Sequence, residues 1–158
     1  MGPEPPTIKI RAKPEVFNLL AEWIYTQKVI EDKNNPPPMH QFVDLWLLAE
    51  RYEIPRLQNF ALDGMEYRRM EFKDSISYWC DRIYLKTSES SLLRKYAVEL
   101  AAMRYKSFLK EDTKDHLKAY PEEMIRDMVD FMQGGMVEGW ERSWSEGFSK
   151  DELNEFFV

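Results

Sequence analysis

Cysteine and histidine are scarce in this sequence. Cys80 is the single cysteine among 158 residues, and the two histidines, His40 and His116, lie far apart. One cysteine cannot form an internal disulfide, and a zinc site normally combines about four nitrogen or sulfur ligands. The sequence therefore predicts no disulfide framework and no zinc domain. Such cysteine usage is typical of an intracellular protein, cytoplasmic or nuclear.

Long apolar runs and an excess of basic residues are also absent. No run approaches the roughly 20 apolar residues of a membrane helix, and the opening MGPEPPTIKI lacks the basic start and apolar middle of a secretory signal. Acidic side chains outnumber basic ones by 28 to 22, which gives a net charge of −6. A general nucleic-acid binder presents a basic face instead. We therefore expect the partners to be neither membranes nor nucleic acids.

The sequence also lacks a recognisable catalytic constellation. No serine lies in a Gly-x-Ser-x-Gly elbow, and Cys80 falls on an apolar helical stripe, where a thiol more often packs than reacts. Asp112, Asp115 and His116 could offer a divalent ion weak ligands, but a solvated charged run explains them more simply. We predict no catalytic residue, no metal site and no cofactor, and we do not expect an enzyme.

What the sequence does contain is apolar and aromatic residues in regular patterns. Hydrophobic residues make up 44% of the chain and aromatic residues 14%, enough for the core of about one domain. Ile8 and Ile10 alternate with polar neighbours in TIKIR, which predicts a strand at the start, and KVI is long enough for another short one. Apolar residues at helical spacing predict six helices, marked by Phe17, Leu20, Ala21 and Ile24; by Phe42, Leu45, Trp46 and Ala49; by Leu57, Phe60, Ala61 and Met65; by Ile76, Trp79, Cys80 and Ile83; by Leu93, Tyr96, Ala97 and Leu100; and by Ile125, Met128, Val129 and Met132.

Two of these helices meet at a stiff corner in LWLLAERYEIPRLQNFALDGM. Pro55 disfavours helical geometry at Ile54 and can itself begin the next helix. We expect Ile54 to tuck into the core. The residues around the corner are interpreted as core and corner packing and not as a binding site: Phe42, Trp46, Leu48, Ala49, Tyr52, Ile54 and Leu57.

The same corner carries a resemblance to a known family. The pattern Leu48-Ala49-x-x-Tyr52-x-Ile54-x-x-Leu57, preceded by FNLLAEWIYTQKV, resembles the second half of a BTB/POZ domain of the divergent fungal type. The later YLKTSESSLLRKYAVELAAMRYKSFLK and YPEEMIRDMVDFM are similar to the helical extension of such proteins. The resemblance implies a mainly α (α+β) fold: a truncated BTB/POZ-like helical domain with a small N-terminal β element, followed by a helical extension.

The resemblance divides the chain into four parts. We predict a flexible Pro-rich N-terminus at 1–6, the BTB/POZ-like half at 7–72, the helical extension at 73–135, and an acidic aromatic tail with a short helix at 136–158. The family's opening motif, of the type F-x-x-H-x-x-x-L-x-x-x-S-x-x-F, is not found upstream of Thr7. In the family, this motif lies in the first half of the domain, and that first half supplies much of the homodimer contact. We therefore expect an open apolar face, or one covered by the tail or another chain.

The tail combines large rings with acidic residues. Trp140, Trp144 and Phe148 recur every four residues, and Ser149 with Glu152 has the spacing of a capping box. The short helix that Ser149 would begin carries Leu153, Phe156 and Phe157, and so short a helix needs a surface to pack on. Two interpretations stay open: the tail folds back onto its own domain, or its anchors bind a groove on a partner. The candidate partner-binding residues are Trp140, Trp144, Phe148, Leu153, Phe156 and Phe157.

These patterns favour a non-enzymatic protein–protein interaction module. The resemblance implies a more specific role, an adaptor between a cullin-type ubiquitin-ligase scaffold and a substrate, with self-association as another outcome. The alternative is a regulatory or structural subunit of a larger, for example chromatin-associated, assembly whose partner completes the truncated domain. Either role requires a protein partner and no cofactor.

Overall fold

The chain is mainly helical, as the sequence predicts. The computed structural model describes residues 2, 7, 9–28, 30, 32–108, 114–134, 148 and 150–158. Its helices are α1 (Pro14–Thr26), α2 (Met39–Arg51), α3 (Pro55–Phe72), α4 (Cys80–Lys86), α5 (Leu92–Phe108), α6 (Glu122–Gly134) and α7 (Lys150–Asn154), with 3₁₀ helices at Ile76–Trp79 and Lys114–Ala119. Within these ranges, no helix is both long and apolar enough to cross a membrane.

The predicted N-terminal β element is not seen. Residues 9–13 have no regular secondary structure, and the described part of the chain contains no strand. The backbone groups that a neighbouring strand would engage are bound to a side chain. The hydroxyl of Tyr52 donates to the carbonyl of Lys9 over 3.3 Å and accepts the N–H of Arg11 over 3.2 Å. The carbonyl of Lys9 and the N–H of Arg11 are therefore satisfied without a pairing strand.

The corner between α2 and α3 spans Tyr52 to Ile54. Glu53 adopts the left-handed conformation, with φ of 54°, which turns the chain at the end of α2. The N–H of Ile54 then donates to the carbonyl of Ala49 over 2.9 Å, so the turn closes on a backbone hydrogen bond. Pro55 begins α3 at the position where its missing N–H has no helical partner to lose. The result is a closely packed helix pair whose facing residues form much of the core.

A glycine sets how closely the two helices approach. A Cβ added to Gly64 on α3 would lie less than 3.0 Å from the ring of Phe42 on α2. Phe42 is fully buried, and so are Trp46 and Leu57 nearby. The ring therefore fills the space that a side chain at position 64 would need.

Arg94 on α5 joins the second half of the described core. Its guanidinium donates to the carbonyls of Tyr84 and Thr87 over 2.7 and 2.8 Å, and pairs with Glu123 on α6 over 2.6 Å. The same group lies over the Tyr84 ring, 4.3 Å from its centroid. Tyr84 in turn donates its hydroxyl to Asp127 over 2.6 Å. One buried cation thus ties α4, α5 and α6 together, because the end of α4 leaves carbonyls that need donors.

Candidate partner-binding surfaces

The described part of the tail contacts its own domain. Phe156 is 2% exposed and its ring lies 5.5 Å from that of Tyr96 on α5. Phe148 completes the cluster, with its ring centroid 5.7 Å from Tyr96 and 5.1 Å from Phe156. These edge-on and tilted arrangements are the ones that aromatic rings prefer. The rings of Phe148 and Phe156 therefore pack against other residues of the same chain.

The rest of the described tail lies against the same face. Leu153, on α7, and Phe157, after it, are half-buried and pack against the core. Asn59 on α3 forms two hydrogen bonds with the backbone of Val158, over 2.9 and 3.3 Å. Lys95 on α5 pairs with Glu155 over 3.3 Å. Residues 150–158 are thus held to α3 and α5 by apolar and polar contacts together.

Three predicted features lie outside the described residues: Trp140, Trp144 and the capping serine, Ser149. Their binding of a partner stays a prediction. Asp112 is also outside, and the side chains of Asp115 and His116 are not described. Within the described part of the chain, no group of three or more His, Cys, Asp or Glu side chains is placed to hold a metal ion.

Beneath the aromatic cluster lies a buried polar network. Arg69 donates two hydrogen bonds to the Glu66 carboxylate, over 2.9 and 2.8 Å, and Tyr96 donates its hydroxyl to Glu66 over 2.5 Å. All three side chains are buried. Burial first, and then the Glu66 carboxylate, raise the pKa of the Tyr96 hydroxyl, so it stays protonated and remains a donor. The arrangement fixes α3 against α5.

The predicted corner residues lie in the core. Phe42, Trp46, Leu48, Ala49 and Leu57 are buried, while Tyr52 and Ile54 are half-buried and pack against them.

Cys80 is also buried, and its thiol donates to the carbonyl of Ile76 over 3.5 Å. Burial, with a smaller contribution from Asp81, raises the pKa of the Cys80 thiol to about 12. A thiol with that pKa is protonated at neutral pH and is a poor nucleophile.

The register of α1 differs from the predicted one. The buried face consists of Val16, Leu19, Leu20 and Trp23, so only Leu20 of the predicted stripe is buried. Phe17 and Ile24 are 47% and 55% exposed, and Tyr25 is 88% exposed. The helix therefore has two apolar stripes about 100° apart, of which one is used by the core. The second stripe, Phe17, Ala21, Ile24 and Tyr25, is hereafter the outer stripe of α1.

Comparisons of the chain with family models, with curated proteins and with solved structures found no match.

Proposed function

We propose that the chain is a non-enzymatic protein–protein interaction module of the BTB/POZ type. The observation that carries this proposal is the outer stripe of α1. Phe17 and Ile24 are separated by seven residues, so they lie on one side of the helix two turns apart, with the small Ala21 between them. Scattered surface apolar residues are ordinary, but an aligned stripe that repeats the pattern of the buried face is typical of a contact surface.

The shape of this surface favours a protein partner over a small molecule. A convex helix face offers no concavity to enclose a ligand, whereas it can lie along a helix or groove of a partner. The exposed Tyr25 adds a ring whose hydroxyl can remain hydrated at the edge of such a contact. Large rings at interfaces supply much of the binding energy.

The partner we propose is a cullin-type scaffold, which the chain would join to a substrate. This part of the proposal is supported by the sequence resemblance, in which the helix ending at Tyr25-Thr26, the Leu48-Ala49-x-x-Tyr52 corner and the later extension follow the family's order. The outer stripe belongs to the first of these segments.

The test measures binding of the purified chain to a purified cullin scaffold by calorimetry. We expect the F17D/I24D variant to bind at least about tenfold more weakly, because two charges would be placed in a desolvated contact. Q133D, at an exposed position on α6, is the control that adds a charge elsewhere. Its affinity should equal that of the parent chain.

Light scattering of the same samples measures whether the chain instead associates with a second copy of itself. If the chain does not bind the scaffold but forms a dimer that F17D/I24D abolishes, the interaction module stands and its partner is a second copy. If neither binding nor self-association depends on the outer stripe, the proposal is wrong.

A further inference from the structure

A pocket of about 400 Å³ opens between the segment before α1, the helix α2 and the end of α4. Its rim is cationic: Arg11, Lys13, Arg51, Arg82 and Lys86 line it, with Asp44 as the acidic member. These described residues give the pocket an excess of four positive charges, in a chain whose net charge is −6. The charge of this one pocket is thus opposite to that of the molecule.

Asp44 explains how two of the cations are held there. Its carboxylate is almost fully buried, and the Nζ of Lys13 lies 3.2 Å from Oδ2 while the Nε of Arg82 lies 2.6 Å from Oδ1. Asp44 thereby fixes the segment before α1 and the helix α4 against α2. Lys13 forms a hydrogen bond with Oδ2, whereas Arg82 and Oδ1 are at ion-pair distance without a hydrogen bond. The single negative charge of Asp44 therefore already faces two cations.

The remaining three cations have no such explanation. Arg11, Arg51 and Lys86 are exposed, and none of them forms an ion pair with another residue in the described ranges. Arg51 and Lys86 are the last residues of α2 and α4, where the helix dipole favours a positive side chain. That preference accounts for a cation at each end separately. It does not account for the convergence of three segments on one pocket.

The floor of the pocket is apolar. Val16, Leu47 and Leu48 lie between the cations. Leu85, which is 81% exposed, follows Arg82 by three residues and precedes Lys86, so it lies beside the rim. A simple inorganic anion would gain from the cations but would leave this apolar surface in water. A chain with acidic and aliphatic side chains can use both.

We propose that this pocket binds an acidic peptide segment of a partner, with carboxylates paired to Arg51, Lys86 and Arg11 and an aliphatic side chain on the Val16–Leu47–Leu48 floor. Charge complementarity is the argument for this partner, since the guanidinium fork matches a carboxylate and desolvation beside an apolar floor strengthens the pair. This inference goes beyond the proposed function, because it concerns other residues than the outer stripe of α1 and stands if that surface binds nothing.

The experiment uses fluorescence anisotropy with a labelled peptide of about 12 residues, which when extended spans about 40 Å. The peptide alternates glutamates with leucines, and a second peptide has glutamine at every glutamate position. We expect the acidic peptide to bind and the glutamine peptide not to bind. Affinity should fall as sodium chloride is raised, because exposed charge pairs are screened.

R51E/K86E is the decisive variant, since neither side chain takes part in the Asp44 ion pairs. We expect it to bind the acidic peptide at least about tenfold more weakly. K28E/R126E is the control with the same charge change. Both residues are exposed, Arg126 pairs with the exposed Glu122, and Lys28 lies near the opposite end of α1, about 20 Å from Lys13. Its affinity should change less than twofold, roughly the effect of net charge alone.

Two results would overturn the inference. Equal losses in R51E/K86E and K28E/R126E would mean that the attraction is general and not located in the pocket. Displacement of the peptide by inorganic phosphate, well beyond the displacement by sodium chloride at the same ionic strength, would make the pocket a small-anion site. If R51E/K86E does not fold, as judged by thermal unfolding, R11E gives the same comparison from a residue outside any helix. F17D/I24D should bind the acidic peptide as the parent chain does.

Discussion

Two buried carboxylates in this molecule, Glu66 and Asp44, are bound by cations in contrasting surroundings. Glu66 is 7% exposed and Asp44 8% exposed, so their burial is the same. The partners of Glu66, Arg69 and Tyr96, are themselves buried under the aromatic cluster of the tail. The partners of Asp44, Lys13 and Arg82, are half-exposed at the rim of an open pocket.

Burial of a charged side chain therefore does not by itself indicate its role. The Glu66 and Asp44 sites differ in the solvent exposure of the partner side chains and in the net charge of each cluster. The Glu66 network pairs one cation with one carboxylate and is sealed from water. The Asp44 cluster leaves an excess of positive charge facing solvent. The Glu66 network stabilises the fold, whereas the exposed cations around Asp44 can also bind an anionic group.

The largest expected effect is the loss of Glu66. E66A should lower the free energy of unfolding by about 3–5 kcal/mol, because it leaves the buried Arg69 charge without its carboxylate. D44A should cost only about 1 kcal/mol, since Lys13 and Arg82 can turn toward water. Urea unfolding of both variants measures the difference. Equal costs would remove the distinction between the two sites.

Replacing both members of the buried pair tests whether the cost of E66A comes from the unpaired Arg69 charge. The double variant E66L/R69M should be more stable than E66A alone, because a buried ion pair can often be exchanged for apolar residues of similar volume.

The tyrosine hydroxyls give the next largest contrast. Y96F should lower the free energy of unfolding by about 1–3 kcal/mol, because the buried Glu66 carboxylate loses a hydrogen-bond donor. Y52F removes the exposed bridge to Lys9 and Arg11, and we expect less than about 0.5 kcal/mol. Thermal unfolding of the two variants tests this order, and a reversed order would contradict it.

Glu99 is less buried than Glu66 and Asp44, and its titration makes the free energy of unfolding depend on pH. Burial raises the pKa of its carboxyl to about 7; Lys95 opposes the rise, while Glu155 and Glu152 on the tail add to it. Below about pH 4.5 the carboxyl is protonated in both the folded and the unfolded chain, so its contribution to stability is fully present. Between about 4.5 and 7 the folded chain retains a proton that the unfolded chain has lost, so stability falls; we expect about 1–2 kcal/mol, less than the full pKa change would give, because solvent screens this partly exposed carboxyl. Above about pH 7 the contribution is constant.

The variant E99Q isolates this effect, since its side chain does not titrate. The parent chain should lose stability relative to E99Q as the pH is raised from 5 to 7. Intrinsic tryptophan fluorescence during urea unfolding provides the measurement, and parallel pH profiles for the two chains would show that Glu99 does not titrate in this range.

D44N is expected to change the free energy of unfolding little and to change binding of the acidic peptide in the opposite direction to R51E/K86E. Asparagine keeps the shape but releases Lys13 and Arg82, so the free energy of unfolding should fall by less than about 1 kcal/mol. The pocket becomes more positive, and the acidic peptide should bind several-fold more tightly. Weaker binding would indicate that the orientation of the two cations matters more than their net charge.

The helices and the corner were predictable because they depend on local signals. Apolar spacing marks each long helix, and Pro55 marks the corner between α2 and α3. The register of α1 was not predictable. Val16-Leu19-Leu20-Trp23 and Phe17-Leu20-Ala21-Ile24 both satisfy the helical period, and the choice between them depends on how α1 packs against α2. The predicted N-terminal β element is not seen in the described residues; alternation describes one strand and says nothing of its partner.

The cationic pocket could not be predicted from spacing, since its members come from three segments. One signal does exist in the sequence: Asp44 stands within MHQFVDLWLLAER, between apolar residues that are buried on both sides of it. A carboxylate at such a position needs cations from elsewhere in the chain. In the tail the aromatic pattern is visible in the sequence, but the surface that it contacts is not. Its aromatic residues suit either a fold-back or a partner, and the contact of Phe156 with Tyr96 is visible only in three dimensions.

The close approach of α2 and α3 at Gly64 has an evolutionary consequence. Since the Phe42 ring occupies the volume of a missing side chain, position 64 cannot vary while that ring is present. Substitution of Gly64 by alanine becomes acceptable only after Phe42 has been replaced by a smaller residue, so these two positions should change together among descendants of this chain. An engineer who wished to place a side chain at position 64 would have to replace Phe42 first or at the same time.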